Sequence, residues 1–147
     1  MIQEFISKST EQTQKIAERF SRELKSGQVI AFEGDLGAGK TSFVKGLAVG
    51  LGFSGEVSSP TFALVNEYIG GKKDLYHFDM YRISGWEDLY STGFFDYLES
   101  GGVLAVEWSE NIAAALPDDT VLVRIEKLND NERKIIIKVA DNENTGN

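Results

Sequence analysis

The run Gly34-Asp35-Leu36-Gly37-Ala38-Gly39-Lys40-Thr41 has the residue types and spacing of a phosphate-binding loop, G-x-x-x-x-G-K-[ST]. Each position has a chemical reason. Glycines let the backbone fold into a nest whose N–H groups point at phosphate oxygens. A helix starting at the end of the loop presents its N-terminus to the same anion. Lys40 offers a positive charge to the β and γ phosphates, and Thr41 offers a hydroxyl to Mg²⁺. The plain alternative is a Gly-rich turn with an incidental Lys-Thr. Against it, a short apolar stretch precedes the loop (Gln28–Glu33) and an amphipathic one follows (Lys40–Leu51), which is the strand and helix the loop requires.

Phosphate chemistry of this kind also needs an acid at the end of a neighbouring strand, to hold Mg²⁺ directly or through water. Glu107 follows the continuous apolar run Gly102–Val106 and is the candidate. The usual residue there is Asp, and the plain reading is a solvated Glu at a strand end. Asp79 ends the stretch Leu75–Asp79. Three roles suit it: orienting the attacking water, holding a metal-bound water, or capping the turn. Ser58-Ser59-Pro60-Thr61 lies after the loop's helix, where many P-loop enzymes carry a nucleotide-sensing segment. Thr61 can offer a hydroxyl near the γ-phosphate or the metal, or belong to a simple turn. His77 is the one histidine, and between Tyr76 and Phe78 it reads as a packed strand residue. No His/Cys cluster suggests zinc.

The elements that must position these groups follow from the hydrophobic pattern. Ile16, Ala17, Phe20 and Leu24 recur at helical spacing, so a helix is expected from Ser9 or Thr10 to Ser26-Gly27. Phe62–Ile69 and Leu75–Asp79 read as a hairpin around Gly70-Gly71. Ser84 with Glu87 fits a capping box before a short helix. Gly102–Val106 has the continuous apolar character of a strand covered on both faces. Ser109–Leu116 is expected to be helical, and Val121–Glu126 with Lys134–Val139 to form a C-terminal β-hairpin. Interleaved strands and helices predict an α/β fold, P-loop NTPase-like, with a mixed β-sheet flanked by helices.

Length and composition agree with one domain. The 147 residues are 41% hydrophobic and 26% charged, with no cysteine, which excludes a disulfide scaffold and disorder of the whole chain. The domain is expected over residues 1–140, with 141–147 (DNENTGN) a disordered tail by composition. No apolar run approaches the ~18 residues of a membrane span. The N-terminus has neither a basic region nor an apolar core of a signal peptide, so a cytoplasmic location is expected. A net charge of −8 argues against unaided binding to nucleic acid, which needs clustered Lys and Arg.

Four segments occur together in order: GDLGAGKTSFVKGL (Gly34–Leu47), SSPTFALVNEY (Ser58–Tyr68), YHFDMYR (Tyr76–Arg82) and VEWSE (Val106–Glu110). Over about Thr10 to Arg133 the chain resembles the bacterial TsaE (YjeE) family, the small P-loop ATPases of tRNA threonylcarbamoyladenosine biosynthesis. The resemblance implies ATP and Mg²⁺ as cofactors. It implies that Gly34, Asp35, Leu36, Gly37, Ala38, Gly39, Lys40, Thr41 and Ser42 hold the phosphates, with Thr41 and Glu107 on the metal. Lys40, Asp79 and Glu107 are the expected catalytic groups. Thr61 belongs to a switch-like loop, and Trp108 sits beside the site. Thr10 and Arg133 are the matches for the adenine end. The implied partner is a TsaB–TsaD heterodimer, with tRNA reached only through it. The runner-up is a small nucleotide or metabolite kinase, but between the two apolar strands Arg82 stands without the Arg-rich lid such enzymes use. A GTPase lacks its guanine-reading N-K-x-D here, and a nucleotide-gated binding module remains open.

Overall fold

The structure is a computed structural model that describes residues 1–34, 39–55 and 65–140. Its strands are β1 (Ile2–Ser7), β2 (Val29–Gly34), β3 (Val65–Tyr68), β4 (Leu75–Asp79), β5 (Val103–Glu107), β6 (Val121–Lys127) and β7 (Arg133–Lys138). Its α-helices are α1 (Thr10–Ser21), α2 (Lys40–Gly50), α3 (Trp86–Ser91) and α4 (Phe94–Glu99). A 3₁₀ helix, Ser109–Ala115, follows β5.

All seven strands form one mixed sheet in the order β1-β7-β6-β2-β5-β4-β3. The central pairs β6–β2, β2–β5 and β5–β4 are parallel. The outer pairs β1–β7, β7–β6 and β4–β3 are antiparallel. Helices cover both faces of the parallel part, which is why β2 and β5 read as unbroken apolar runs. On one face, Ile30, Phe32, Val103, Ala105 and Leu75 pack with Phe43, Leu47, Ala17 and Phe20 of α2 and α1. On the other, Val29, Leu104, Val106 and Phe78 pack with Leu89, Phe94 and Ile112.

The helices α1 and α2 approach closely because α2 presents glycine at the contact. A Cβ on Gly46 would lie 2.2 Å from the Gln14 carbonyl oxygen and 2.7 Å from the Ala17 Cβ. At Gly50 it would lie 1.8 Å from the Ser21 hydroxyl.

Several expectations shift in detail. α1 starts as expected, with Ser9 as N-cap accepting from the Gln12 N–H at 3.0 Å. It ends at Ser21 rather than Ser26-Gly27. Tight turns follow, with Leu24 N–H donating to the Ser21 carbonyl at 3.1 Å, and these keep Leu24 in the core without more helix. The capping box at Ser84 is corrected: Gly85 is the N-cap of α3, and the Ser84 N–H and hydroxyl both donate to Asp88 rather than engaging Glu87. The segment after β5 is helical as expected but takes 3₁₀ form, with non-helical backbone at Ile112. β1 and α4 were not anticipated. Residues 62–64 of the first expected hairpin strand and the expected tail, 141–147, lie outside the described residues.

Gly46→Ala tests the helix contact. Overpacking against backbone costs about 1–3 kcal/mol and should outweigh the roughly 1 kcal/mol Ala gains over Gly in a helix, leaving a net loss of up to about 2 kcal/mol in urea unfolding. Lys45→Ala, on the exposed side of the same turn, should stay within about 0.5 kcal/mol of wild type in urea unfolding.

Candidate functional site

The site is built where the parallel strands end. Residues alternate faces along a strand, so Leu75, His77 and Asp79 share a face, as do Val103, Ala105 and Glu107. Both sets lie on the face covered by α1 and α2. The register then sets Asp79 directly beside Glu107. On the other side of β5, β2 ends at Gly34, and α2 begins at Lys40 after the loop.

Gly34 and Gly39 both have left-handed backbone, at φ 120° and 112°. A side chain at Gly34 would strike the Ile125 carbonyl, with Cβ 2.1 Å from its oxygen. At Gly39 a Cβ would meet nothing within 4 Å among the described residues. Among the described residues, the start of α2 has no side-chain cap, Gly39 being its N-cap, and no acidic residue in the first turn. Its leading N–H groups and their positive end of the helix dipole therefore suit an anion. Lys40 Nζ donates to the Gly34 carbonyl at 3.2 Å. Thr41 is exposed and Ser42 half-buried on the same first turn. These residues fit a phosphate chain. Asp35, Leu36, Gly37, Ala38 and Thr61 lie outside the described residues.

Two hollows flank the start of α2. A groove of about 490 Å³ is lined by Thr10, Gly39, Ser42 and Arg133 among others. It thus brings the expected adenine-end pair to the expected phosphate residues. The cause is strand pairing: Ser7 at the end of β1 is in register with Arg133 at the start of β7, so α1 begins beside β7. The Arg133 guanidinium donates to the Asn129 carbonyl at 2.8 Å and the Glu132 carbonyl at 3.1 Å, which fixes it at the rim. A smaller cleft of about 60 Å³ is lined by Gly34, Lys40, Trp108 and Glu110. Trp108 thus lines the same cleft as Lys40.

His77 is the group the residue pattern alone assigned to packing. Its Nε2 stands 2.6 Å from Glu107 Oε2. Strand alternation held the signal, because His77 shares a face with Asp79. The His77 hydrogen bond holds the Glu107 carboxyl below its ordinary value of 4.5, outweighing the opposing effect of burial, and the Lys40 charge adds to it. Asp79 is exposed, and its Oδ1 accepts from the Tyr81 N–H at 3.0 Å. One of the three roles considered for it, capping the turn, is present. Asn111 Nδ2 donates to the Met80 carbonyl at 2.8 Å and to that of Tyr81 at 3.2 Å, tying the chain after Asp79 to the segment after Glu107.

A mixed sheet with a glycine-flanked loop and helix leaving its central strand defines the P-loop NTPase-like class of α/β proteins. The family model described as "Threonylcarbamoyl adenosine biosynthesis protein TsaE" matches residues 7–135. The chain is 40% identical over 132 residues to the tRNA threonylcarbamoyladenosine biosynthesis protein TsaE of Treponema pallidum, covering 90% of this chain and 97% of that one. To the protein of the same name from Aquifex aeolicus it is 44% identical over 141 residues, covering 93% and 96%. The crystal structure of Bacillus subtilis YdiB superposes with a TM-score of 0.78 at 34% identity, covering 99% of this chain and 90% of that one. This chain belongs to the TsaE family.

The low Glu107 pKa has a consequence for stability. Because the native value is depressed, the ionised group stabilises the fold above 4.5, the ordinary value, and that contribution is lost as pH falls through the native value. Wild type should therefore exceed Glu107→Gln in urea stability at neutral pH, and the gap should close at strongly acidic pH. A gap independent of pH would show that the charge is not what His77 and Lys40 stabilise.

Proposed function

We propose that this protein binds Mg²⁺-ATP, hydrolyses it, and serves threonylcarbamoyladenosine modification of tRNA through a TsaB–TsaD heterodimer in the cytoplasm. The observation that carries the nucleotide reading is the meeting of the start of α2, with Lys40, and the paired strand ends Asp79 and Glu107. Family membership supports the tRNA pathway. The acidic chain supports reaching tRNA through a partner, since −8 net charge repels phosphate backbones. Among the described residues, no helix is long and apolar enough to cross a membrane.

In this reading the residues divide the work. Gly34, Gly39 and the first turn of α2 cradle phosphate through N–H groups. Lys40 leaves the Gly34 carbonyl for the β and γ oxygens. Thr41 and Glu107 hold the metal, which when bound offsets charge on the transferring phosphoryl group. Asp79, beside Glu107 and open to solvent, would orient the attacking water. Thr10 and Arg133 frame the nucleoside end of the groove.

Lys40→Ala should weaken ATP binding by about ten- to a hundredfold, the worth of a charge-assisted contact of about 1.5–3 kcal/mol, while leaving the fold intact. Calorimetric titration with ATP checks this, and unchanged affinity would remove the phosphate-cradle reading.

Asp79→Ala should keep ATP affinity within a few-fold but suppress phosphate release. Glu107→Ala should reduce both Mg²⁺-dependent binding and release. Phosphate release should rise when the TsaB–TsaD heterodimer is added to wild type. A phosphorylated small molecule appearing in place of free phosphate would instead favour a kinase.

A further inference from the structure

The pairing of His77 with Glu107 is close and sheltered, with a separation of 2.6 Å and side chains 12% and 24% exposed. Glu107 lies beside Asp79, and His77 is one alternation earlier on the same face of β4, so the contact runs diagonally between parallel strands. An ionised carboxylate only accepts hydrogen bonds. The ring therefore donates through Nε2 to Oε2, and this leaves Oε1 for another ligand.

The strands on either side explain why a clamp is needed here. A strand fixes the Cα and Cβ of Glu107, but two further side-chain torsions separate Cβ from the carboxylate. Asp, the usual residue at such a strand end, is one methylene shorter and is oriented more directly by the backbone. The longer Glu needs an external partner to hold its oxygens in one place, and His77 is that partner among the described residues.

We propose that His77 is a positioning residue: by holding Oε2 of Glu107, it presents Oε1 in one orientation to the divalent cation at the start of α2. The proposal rests on the reading of Glu107 as a metal ligand.

The test uses the full chain loaded with a non-hydrolysable ATP analogue and titrated with Mg²⁺, followed by intrinsic tryptophan fluorescence. Loss of a partner that orients a metal ligand typically costs 10–100-fold in metal affinity. His77→Ala should raise the Mg²⁺ midpoint by about that factor, while analogue affinity in EDTA stays at the wild-type value. His77→Gln, whose amide can still donate to Oε2, should recover most of the loss, and thermal melts of both variants report whether they are folded. An unchanged midpoint in folded His77→Ala would overturn the proposal. So would an equal loss with and without Mg²⁺, which is the mark of a purely structural role. If wild-type analogue binding shows no response to Mg²⁺, the metal reading of Glu107 falls and the proposal falls with it.

Discussion

Parallel pairing of β2 with β5 and of β5 with β4 decides where the groups at the strand ends lie. Parallel strands end on the same side of the sheet, and loops leaving those ends meet there. Gly34, Asp79 and Glu107 are the last residues of β2, β4 and β5. None of these three is placed by its own local sequence. They converge because buried apolar runs, covered on both faces, force the strands into adjacent parallel register. The close contact of α1 with α2 through Gly46 and Gly50 then seats α2 on one face. That is the face to which alternation sends His77, Asp79 and Glu107.

Much of this was legible in the residues. The strand and helix that flank the Gly-rich run, the two acidic strand ends and the C-terminal hairpin are all visible, because each has a strong periodic or positional signature. β1 is not, for a physical reason. Ile2, Phe5 and Ile6 do not alternate cleanly, since an edge strand leaves Ile2 and Ile6 exposed, and its only partner β7 lies at the far end of the chain. The same unanticipated strand explains something the sequence suggested only through resemblance. Thr10 and Arg133 share a groove because β1–β7 pairing closes the distance between them. α4 is not legible because its six aromatic-rich residues carry little periodicity and are fixed by Phe94 packing on Phe78. His77 lies in β4 and is half-buried, as a packed strand residue should be, but its hydrogen bond to Glu107 is not legible in the residue pattern. A lone histidine among aromatics looks like core, and only cross-strand register shows what it faces.

Trp108 shows where local preference yields to the site. It is the one non-glycine residue with positive φ among those described, at 59°. The left-handed conformation costs a non-glycine residue roughly 1–2 kcal/mol, and such costs persist where surrounding structure enforces them. Here the enforcement is visible on both sides. The Trp108 ring packs edge-on against Tyr81, with centroids 4.8 Å apart. The turn it makes sends the chain directly into the 3₁₀ helix, whose Asn111 grips the Met80 and Tyr81 carbonyls. The Met80 N–H in turn donates to the Glu107 carbonyl at 3.0 Å. Asp79 and Glu107 are therefore held relative to one another beyond the end of their strand ladder, by a closed circuit of backbone, Asn111 and two rings packed edge to face. A sharp exit at Trp108 keeps Glu107 as the last residue of β5. A relaxed backbone there would let the strand run on, carry the 3₁₀ helix away from Met80, and free the two carboxylates to drift apart.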